Sequence, residues 1–344
     1  MTRIIVLGAR GFFGAAALAC LRDGGARPLA ASRRAGADLL MDAEDPRSLR
    51  AALHSGDVVV DAAGPFQFRS TVLVESCLSI GCDVVDLADS LDYVRKIHAL
   101  SDRIASAGCR VLTACSSVSA VSAALIRLSG VIDPLRVSTY LVPATRNTST
   151  PATAQALFAS LERPVRLLRA GALVERRAFS DTRRMDFPPP VGRVHARLGE
   201  SADAVTLPRV WPTLRDVDFW VDTRRRPLNA LVAAAARSGL VRSILRAVQP
   251  LGRAVTRRLG AKTGGFGIEV EGVNGDRVSA GFVHATHSYV VAVAPAVLAA
   301  RRIAGGTFGA SGLVPPDRQI DARELVDYLR RTGVLSFGLP AGGA

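Results

Sequence analysis

Lysine is almost missing from this sequence. Only two of the 44 basic residues are lysines, Lys96 and Lys262, so arginine carries nearly all of the positive charge behind the formal net value of +14. Because Schiff-base catalysis needs a lysine amine, this scarcity argues against that class of enzyme. The arginines are spread along the chain without a long basic tail, and aromatic residues are only 5% of the sequence. A nucleic-acid interface gathers its cations in one patch or stripe, so we expect no nucleic-acid partner.

Patterned cysteines and long apolar runs are missing as well. The five cysteines stand at positions 20, 77, 82, 109 and 115, without a Cys-x-x-Cys spacing. They predict neither a disulfide framework nor a zinc site. No uncharged run of 18 or more apolar residues predicts a membrane-spanning helix, and the first apolar stretch is typical of a strand rather than a signal peptide. We therefore expect a cytoplasmic protein with reduced cysteines and no bound metal.

Three glycines near the start of the sequence are spaced three residues apart. A short apolar strand ends at Leu7, glycines follow at positions 8, 11 and 14, and an alanine-rich helical run continues to Arg22. Glycine lets the backbone approach a pyrophosphate closely, and the helix N-terminus supplies N–H donors and a positive dipole end. Between a strand and a helix, this spacing predicts a dinucleotide site. We assign its phosphate loop to Gly8, Ala9, Arg10, Gly11, Phe12, Phe13 and Gly14.

The end of the second predicted strand lacks an acid. The strand covers 27–31, and Ser32, Arg33 and Arg34 follow it. An NAD site usually places Asp or Glu here, to accept hydrogen bonds from the ribose 2′-hydroxyl. A hydroxyl and two guanidiniums stand there instead, and the planar donor fork of arginine matches a phosphate. We therefore predict NADP(H) rather than NAD(H), with Arg10 as a further ligand of the 2′-phosphate.

Strands and helices alternate up to residue 125, which predicts a doubly wound parallel α/β sheet. Ligands bind such sheets outside the carboxyl ends of the strands. Among the residues after predicted strands, we expect the cofactor to contact Asp42, Ala63, Gly64, Pro65 and Phe66. A reduction also needs a proton donor, for which Asp86, Asp89 and Ser117 are the candidate catalytic residues. The alternative for Asp89 and Ser117 is helix capping.

The pattern changes after Pro134. Alternating apolar and polar residues over 135–142 and 216–221 predict a second sheet of more antiparallel character. A further strand is predicted over 283–293, and it contains His284 and His287. Their spacing places them on opposite faces of that strand, which argues against a shared metal ion.

Residues 228–259 combine apolar residues at helical spacing with arginines at 237, 242 and 246. Gly239 and Pro250 interrupt the pattern, so we predict two helices. Such an amphipathic segment ordinarily covers a core or a dimer partner. The alternative is that it lies on an anionic membrane surface.

Several motifs together resemble the saccharopine dehydrogenase-like family, in particular its shorter bacterial NADP-dependent members. They are the segments 8–14, 61–66 and 84–89, the helix around 300–302 with Pro315 and Pro316, and the middle segments 186–192 and 206–208. The resemblance implies a Rossmann domain of residues 1–133, completed by 285–344. It also implies an inserted α/β domain over 134–284, with a mixed or antiparallel sheet, for substrate binding and dimerisation. Gly64, Pro65 and Phe66 would then pass near the nicotinamide ribose.

The function implied is that of an NADP(H)-dependent oxidoreductase. Its substrate would be an imine, keto or enoyl group of a small or carrier-borne metabolite, and we expect a homodimer. The catalytic pair of short-chain dehydrogenases is absent, because Lys96 follows Tyr93 by three positions rather than four. With no unmistakable catalytic pair, a non-catalytic NADP-binding regulator is an alternative. A membrane-surface, trans-acting enoyl reductase of lipid biosynthesis is another, with 228–259 as its membrane contact.

Overall fold

The structure is a computed structural model that describes residues Thr2–Leu339. Within this range the strands are β1 (Ile4–Leu7), β2 (Leu29–Ser32), β3 (Leu39–Leu40), β4 (Val58–Asp61), β5 (Asp83–Asp86), β6 (Arg110–Leu112), β7 (Pro134–Val142), β8 (Val165–Arg169), β9 (Ala172–Arg176), β10 (Thr182–Asp186), β11 (Arg193–Gly199), β12 (Asp216–Val221), β13 (Gly264–Gly272), β14 (Arg277–His284), β15 (Gly312–Leu313) and β16 (Leu335–Phe337).

The α-helices of the same range are α1 (Phe12–Asp23), α2 (Pro46–Ala52), α3 (Val72–Ile80), α4 (Leu91–His98), α5 (Ser101–Ala107), α6 (Ser122–Leu128), α7 (Thr145–Thr148), α8 (Pro151–Glu162), α9 (Asp203–Thr206), α10 (Arg226–Arg237), α11 (Gly239–Ala247), α12 (Gln249–Leu259), α13 (Val290–Ala304) and α14 (Ala322–Arg331). A π-helical turn, Ser117–Val121, precedes α6.

The first sheet has the strand order β15-β6-β5-β4-β1-β2-β3. Every neighbouring pair in it is parallel. Strands β1 and β4 are buried along their whole length, as expected for strands covered on both faces. The chain leaves β1 toward β2 on one side and later returns to β4 on the other, which creates a topological switch point. The predicted doubly wound Rossmann sheet is therefore confirmed.

The second sheet has the order β10-β11-β12-β7-β13-β14-β16, and β8 joins β12 while β9 joins β8. Strands β7 and β12 pair in parallel, and the other pairs are antiparallel. One core of this sheet is built around the large side chains of Tyr140, Phe187 and Trp220, and Val232 of α10 packs into the same cluster. The prediction of a second, mixed sheet is confirmed.

Two compact units make up the described chain. One contains the residues up to Val121 together with Ala292–Leu325, and the other contains Ser122–Val291 together with the residues from Val326 onward. From the sequence, these boundaries are expected after residues 133 and 284. In the structure, α6 belongs to the second unit, and so does β16, which pairs with β14. Met1 and residues 340–344 lie outside the described residues.

Helices α4 and α5 are separate, because Ser90 caps α4 by accepting the Tyr93 N–H and the chain turns at Ala99 and Leu100 before α5 begins. One helix prediction was wrong. The two helices expected over 228–259 are three. Extended Ser238 ends α10 and caps α11, and Pro250 lies in the first turn of α12, where a helix tolerates proline.

The strand predicted over 283–293 was also wrong. Strand β14 ends at His284, and α13 begins at Val290. A short apolar run cannot by itself distinguish a buried strand from a helix, which explains the error. The rings of His284 and His287 are 5.4 Å apart rather than on opposite faces. The Nδ1 atom of His284 accepts the N–H groups of Thr286 and His287 at 2.8 and 2.7 Å.

Candidate cofactor and catalytic site

The glycine loop is tied to both of its neighbouring strands. Gly8 has a left-handed φ of 81°, and the N–H groups of Gly8 and Ala9 donate to the Ala31 carbonyl of β2 at 3.0 and 3.2 Å. A Cβ atom at position 8 would lie 2.8 Å from the carbonyl carbon of Ala62, just after β4. The backbone here is therefore too close-packed, and too strained, for any residue but glycine.

Helix α1 begins directly on this loop. The N–H of Gly11 donates to the Gly8 carbonyl at 2.8 Å, and no side chain caps the helix at Gly11. A Cβ atom at Gly14 would lie 2.2 Å from the Gly8 oxygen, so only glycine allows the helix to pack this closely on the turn. An uncapped helix N-terminus at the switch point of a parallel sheet is suited to bind an anion such as a pyrophosphate.

Three arginines surround the next strand end. Arg33 and Arg34 follow β2 with exposed side chains, and exposed Arg10 reaches across to donate to the Ala35 carbonyl. Ser32 is buried, and its hydroxyl accepts the Arg34 N–H at 3.1 Å. The one acid of this loop, Asp38, accepts the Ala30 N–H at 2.7 Å. Arg33 and Arg34 thus stand on the loop after β2 that Arg10 contacts, and this is the loop for which the sequence predicts a 2′-phosphate.

The remaining predicted cofactor residues have their own local structure. The Asp42 carboxylate accepts the Glu44 N–H at 3.0 Å and so closes the turn after β3. Ala63, Gly64 and Pro65 form an extended loop after β4, and the Ala63 N–H donates to Asp61 Oδ1 at 2.9 Å. Phe66 follows as a buried residue whose ring packs against Tyr93 in a tilted arrangement, with centroids 5.2 Å apart. This loop is accordingly held in one conformation at the carboxyl end of β4.

Arg69 and Asp61 form a buried ion pair that was not predicted from the sequence. Arg69 Nη2 lies 3.0 Å from Asp61 Oδ2, and both side chains are buried. Arg69 also donates to the Ala63 carbonyl at 2.7 Å and to Glu44 Oε1 at 2.7 Å. Burial lowers the pKa of Arg69, but Asp61 and Glu44 outweigh this and hold the pKa above its usual value. The guanidinium therefore stays charged and fixes the loop after β4.

Asp86 holds two loops together from inside the protein. Its Oδ1 atom accepts the N–H groups of Ala88 at 3.0 Å and Ala114 at 2.8 Å, and its side chain has no exposed surface. Burial raises the pKa of Asp86 to about 7, although the bonds from Ala114 and Ala88 oppose the shift. The expected catalytic role of Asp86 does not fit this burial, because the carboxylate cannot contact a substrate.

Asp89 and Ser117 follow β5 and β6, on the loops that Asp86 fixes. Asp89 is exposed and accepts a hydrogen bond from Gln67 Nε2 at 3.2 Å. The cap of α4 is Ser90, so capping does not account for Asp89. Ser117 is half-buried and begins the π-helical turn. Neighbouring Cys115 is buried, and burial raises the pKa of its thiol well above the usual value, so it is no nucleophile.

Neither a metal site nor a membrane span is found in residues 2–339. No three side chains among the His, Cys, Asp and Glu residues of this range are grouped so that they could bind a metal ion. Its helices are also too short or too polar to cross a bilayer.

Comparison with known proteins agrees with this architecture. No protein-family model matches the sequence. A probable mitochondrial saccharopine dehydrogenase-like oxidoreductase of Arabidopsis thaliana is 28% identical over 78 residues, which are 22% of this chain and only 17% of that relative. Apo histidine-tagged saccharopine dehydrogenase (L-Glu forming) of Saccharomyces cerevisiae matches with a TM-score of 0.61 and 13% identity, over 98% of this chain and 99% of that one. The chain thus has the fold of saccharopine dehydrogenase, and the resemblance inferred from its motifs is confirmed.

Proposed function

We propose that this chain is an NADP(H)-dependent oxidoreductase that reduces an imine, keto or enoyl group of a small or carrier-borne metabolite. The observation that carries the proposal is the Gly8–Gly14 contact beneath the uncapped N-terminus of α1. The backbone can form this turn only because neither Gly8 nor Gly14 has a side chain. The N–H groups at the start of α1 then remain available to bind an anion at the switch point of the sheet.

The preference for the phosphorylated cofactor rests on charge. Arg33 and Arg34 are exposed beside Arg10, and the only carboxylate of the loop, Asp38, is engaged by the Ala30 N–H. Guanidiniums stabilise a 2′-phosphate, whereas the residues directly after β2, Arg33 and Arg34, include no acid that could accept hydrogen bonds from a 2′-hydroxyl.

For the chemistry, the bound nicotinamide supplies the hydride. The chain must then deliver a proton to the substrate oxygen, nitrogen or carbon that gains electron density. Asp89 and Ser117 are the proposed donors, since both stand on loops at the carboxyl edge of the sheet. Asp86 acts as a positioning residue, because it anchors the backbone on which both donors stand.

Calorimetric titration with NADPH and NADH tests the cofactor. We expect tighter binding of NADPH, and we expect Arg33→Glu to reduce the preference by tenfold or more, because a charge-assisted hydrogen bond is replaced by repulsion. Arg50→Glu is the matched control, since Arg50 is exposed on α2 rather than on this loop, and its replacement should leave the preference unchanged. No uptake of either cofactor by folded protein would overturn the proposal.

Activity is tested by following NADPH oxidation with imines, ketones and enoyl thioesters. Turnover with one of these classes supports the proposal that the protein is a reductase and identifies its class of substrate. Tight binding of NADPH without turnover of any of them would instead favour the non-catalytic regulator.

A further inference from the structure

Helices α11 and α12 are unusual because neither has a single buried residue. The helix before them, α10, is different, since its Val232, Ala233 and Ala235 are buried in the core of the second sheet. The amphipathic segment recognised in the sequence is therefore divided. Its first helix covers the core, and its other two lie on the surface.

Helices α11 and α12 each carry exposed apolar residues, which together are called the apolar stripe. Leu240 and Ile244 of α11 are four residues apart, as are Leu251, Val255 and Leu259 of α12, so each set lies on one face of its helix, and Val248 lies between the two helices. They are all exposed, with Leu240, Leu251 and Leu259 at 72%, 67% and 65% of their maximal accessible surface. The apolar stripe consists of Leu240, Ile244, Val248, Leu251, Val255 and Leu259.

The inner side of α11 is attached to the rest of its unit. Arg242 donates to the Leu161 carbonyl at 2.9 Å, and Arg246 pairs with Glu162 of α8. The Arg246 guanidinium also lies 5.4 Å from the centre of the Phe158 ring. These bonds fix the orientation of α11, with Leu240 and Ile244 of the apolar stripe exposed to solvent.

The charge around the stripe has one sign. Between Asp222 and Glu269 the chain contains no acid. Its charged residues there are Arg224, Arg225, Arg226, Arg237, Arg242, Arg246, Arg253, Arg257, Arg258 and Lys262. A two-fold pairing of this face with its own copy would bring cations against cations, so a second copy of the chain is disfavoured.

An anionic lipid surface is complementary to both the apolar stripe and the positive charge around it. Its acyl region accepts an aliphatic stripe, and its headgroups attract the cations on the other faces of the same helices. A nucleic acid fits less well, because residues 223–265 contain no aromatic side chain on which bases could stack. We propose that α11 and α12 form a docking surface for a membrane rich in anionic lipids, with the apolar stripe inserted at the headgroup boundary.

Cosedimentation of the full chain with lipid vesicles tests this proposal. We expect binding to mixed phosphatidylcholine and phosphatidylglycerol vesicles, weaker binding to phosphatidylcholine alone, and weakening by salt, because the attraction is partly electrostatic. This test needs no cofactor and no substrate, so its failure would leave the proposed oxidoreductase standing.

Two test variants, each with its own control, separate the contribution of the apolar stripe to vesicle binding from that of the arginines. Leu251→Ala with Leu259→Ala should weaken vesicle binding by tenfold or more, since two large apolar side chains no longer insert. The control, Ile132→Ala with Leu335→Ala, removes equally exposed side chains elsewhere and should have no effect. Arg257→Glu with Arg258→Glu should weaken binding by at least about tenfold, whereas Arg176→Glu with Arg177→Glu on exposed positions in and beside β9 should not.

All four variants change exposed side chains, and circular dichroism verifies that each is folded. Vesicle binding that is weakened in both the leucine variant and the Arg257 and Arg258 variant, and kept in both controls, supports the proposal. Absent binding, or binding indifferent to the stripe, overturns it. A solution dimer that Leu251→Ala with Leu259→Ala dissociates would assign the stripe to a second copy instead, and light scattering measures this directly.

Discussion

Asp61 and Asp86 occupy matching positions on neighbouring parallel strands, yet only Asp61 has a cationic partner. The two residues are in register between β4 and β5, and each accepts the N–H of the residue two positions further along. Asp61 pairs with Arg69, whereas burial raises the pKa of Asp86 to about 7. One strand end therefore carries a buried ion pair, and the next carries a carboxyl group that binds a proton near neutral pH.

Asp86→Asn should change how stability depends on pH. In the folded protein Asp86 keeps its proton up to about pH 7, but in the unfolded chain it ionises near its ordinary value of 3.8. The folded state thus binds more protons between these values, and its stability falls as the pH rises through this interval. Asparagine keeps the acceptor oxygen but does not titrate.

The difference in unfolding free energy between wild type and Asp86→Asn should therefore shift by about 4 kcal/mol between acidic and alkaline conditions, in favour of the variant at high pH. Urea unfolding across the interval measures it, with exposed Asp102→Asn as the control. Parallel pH profiles for wild type and Asp86→Asn would show that Asp86 does not titrate as described.

Arg69→Met should destabilise the protein strongly. It leaves the buried Asp61 carboxylate without its counter-ion, a change that costs about 3–5 kcal/mol in buried pairs. Arg103→Met breaks an ion pair with Glu75 in which both side chains are exposed, and should cost about 1 kcal/mol or less. Chemical denaturation compares the two, and equal losses would contradict the structural importance of the Arg69–Asp61 pair.

Gly14→Ala should disrupt the glycine loop. Its Cβ atom would lie 2.2 Å from the Gly8 oxygen, so the helix must move away from the turn at a cost of at least about 1–3 kcal/mol. NADPH binding should weaken in parallel. Gly252→Ala in α12 is the control, because nothing lies within 4 Å of its Cβ, and an exposed helix gains stability from alanine. Thermal unfolding measures the loss of stability, and calorimetry measures the loss of NADPH affinity. Normal NADPH affinity in Gly14→Ala would show that the glycine loop is not part of the cofactor site.

Asp89→Ala or Ser117→Ala should lower kcat by about 10²–10⁴-fold if the replaced residue is the proton donor, while NADPH affinity is unchanged. Both side chains are accessible, so their removal should not affect folding. Asp102→Ala, an exposed acid on α5, serves as the comparison. If both variants retain full turnover with the substrate class that the activity screen identifies, the donor must lie elsewhere in the chain.

The parallel sheet could be predicted because each of its strands and turns is specified by a few neighbouring residues in the sequence. Strands such as β4 and β5 are short runs of valine that end in aspartate, and the turn after β1 is defined by glycine spacing. The helix boundaries in 226–259 depend on finer features. Gly239 and Pro250 both interrupt the sequence pattern, from which two helices were predicted, but the structure has a helix boundary at each of them and therefore three helices.

The Arg69–Asp61 pair could not be predicted for a different reason. Arginine is so frequent in this chain that a single arginine in a loop carries no signal. Its importance comes from a turn after Phe66 that directs the guanidinium back to β4 and also to Glu44. Such a contact is produced by tertiary packing and leaves no periodic pattern in the sequence.

Strand β15 has a consequence for how the chain is made. It pairs with β6 at the edge of the first sheet, Gly312 beside Arg110, although the whole second unit except its last segment lies between them in the chain. During synthesis, the outer edge of β6 stays unpaired until Gly312 and Leu313 have left the ribosome. An open strand edge is prone to pair with other chains, so the nascent protein has to pass through a long interval of exposure to aggregation.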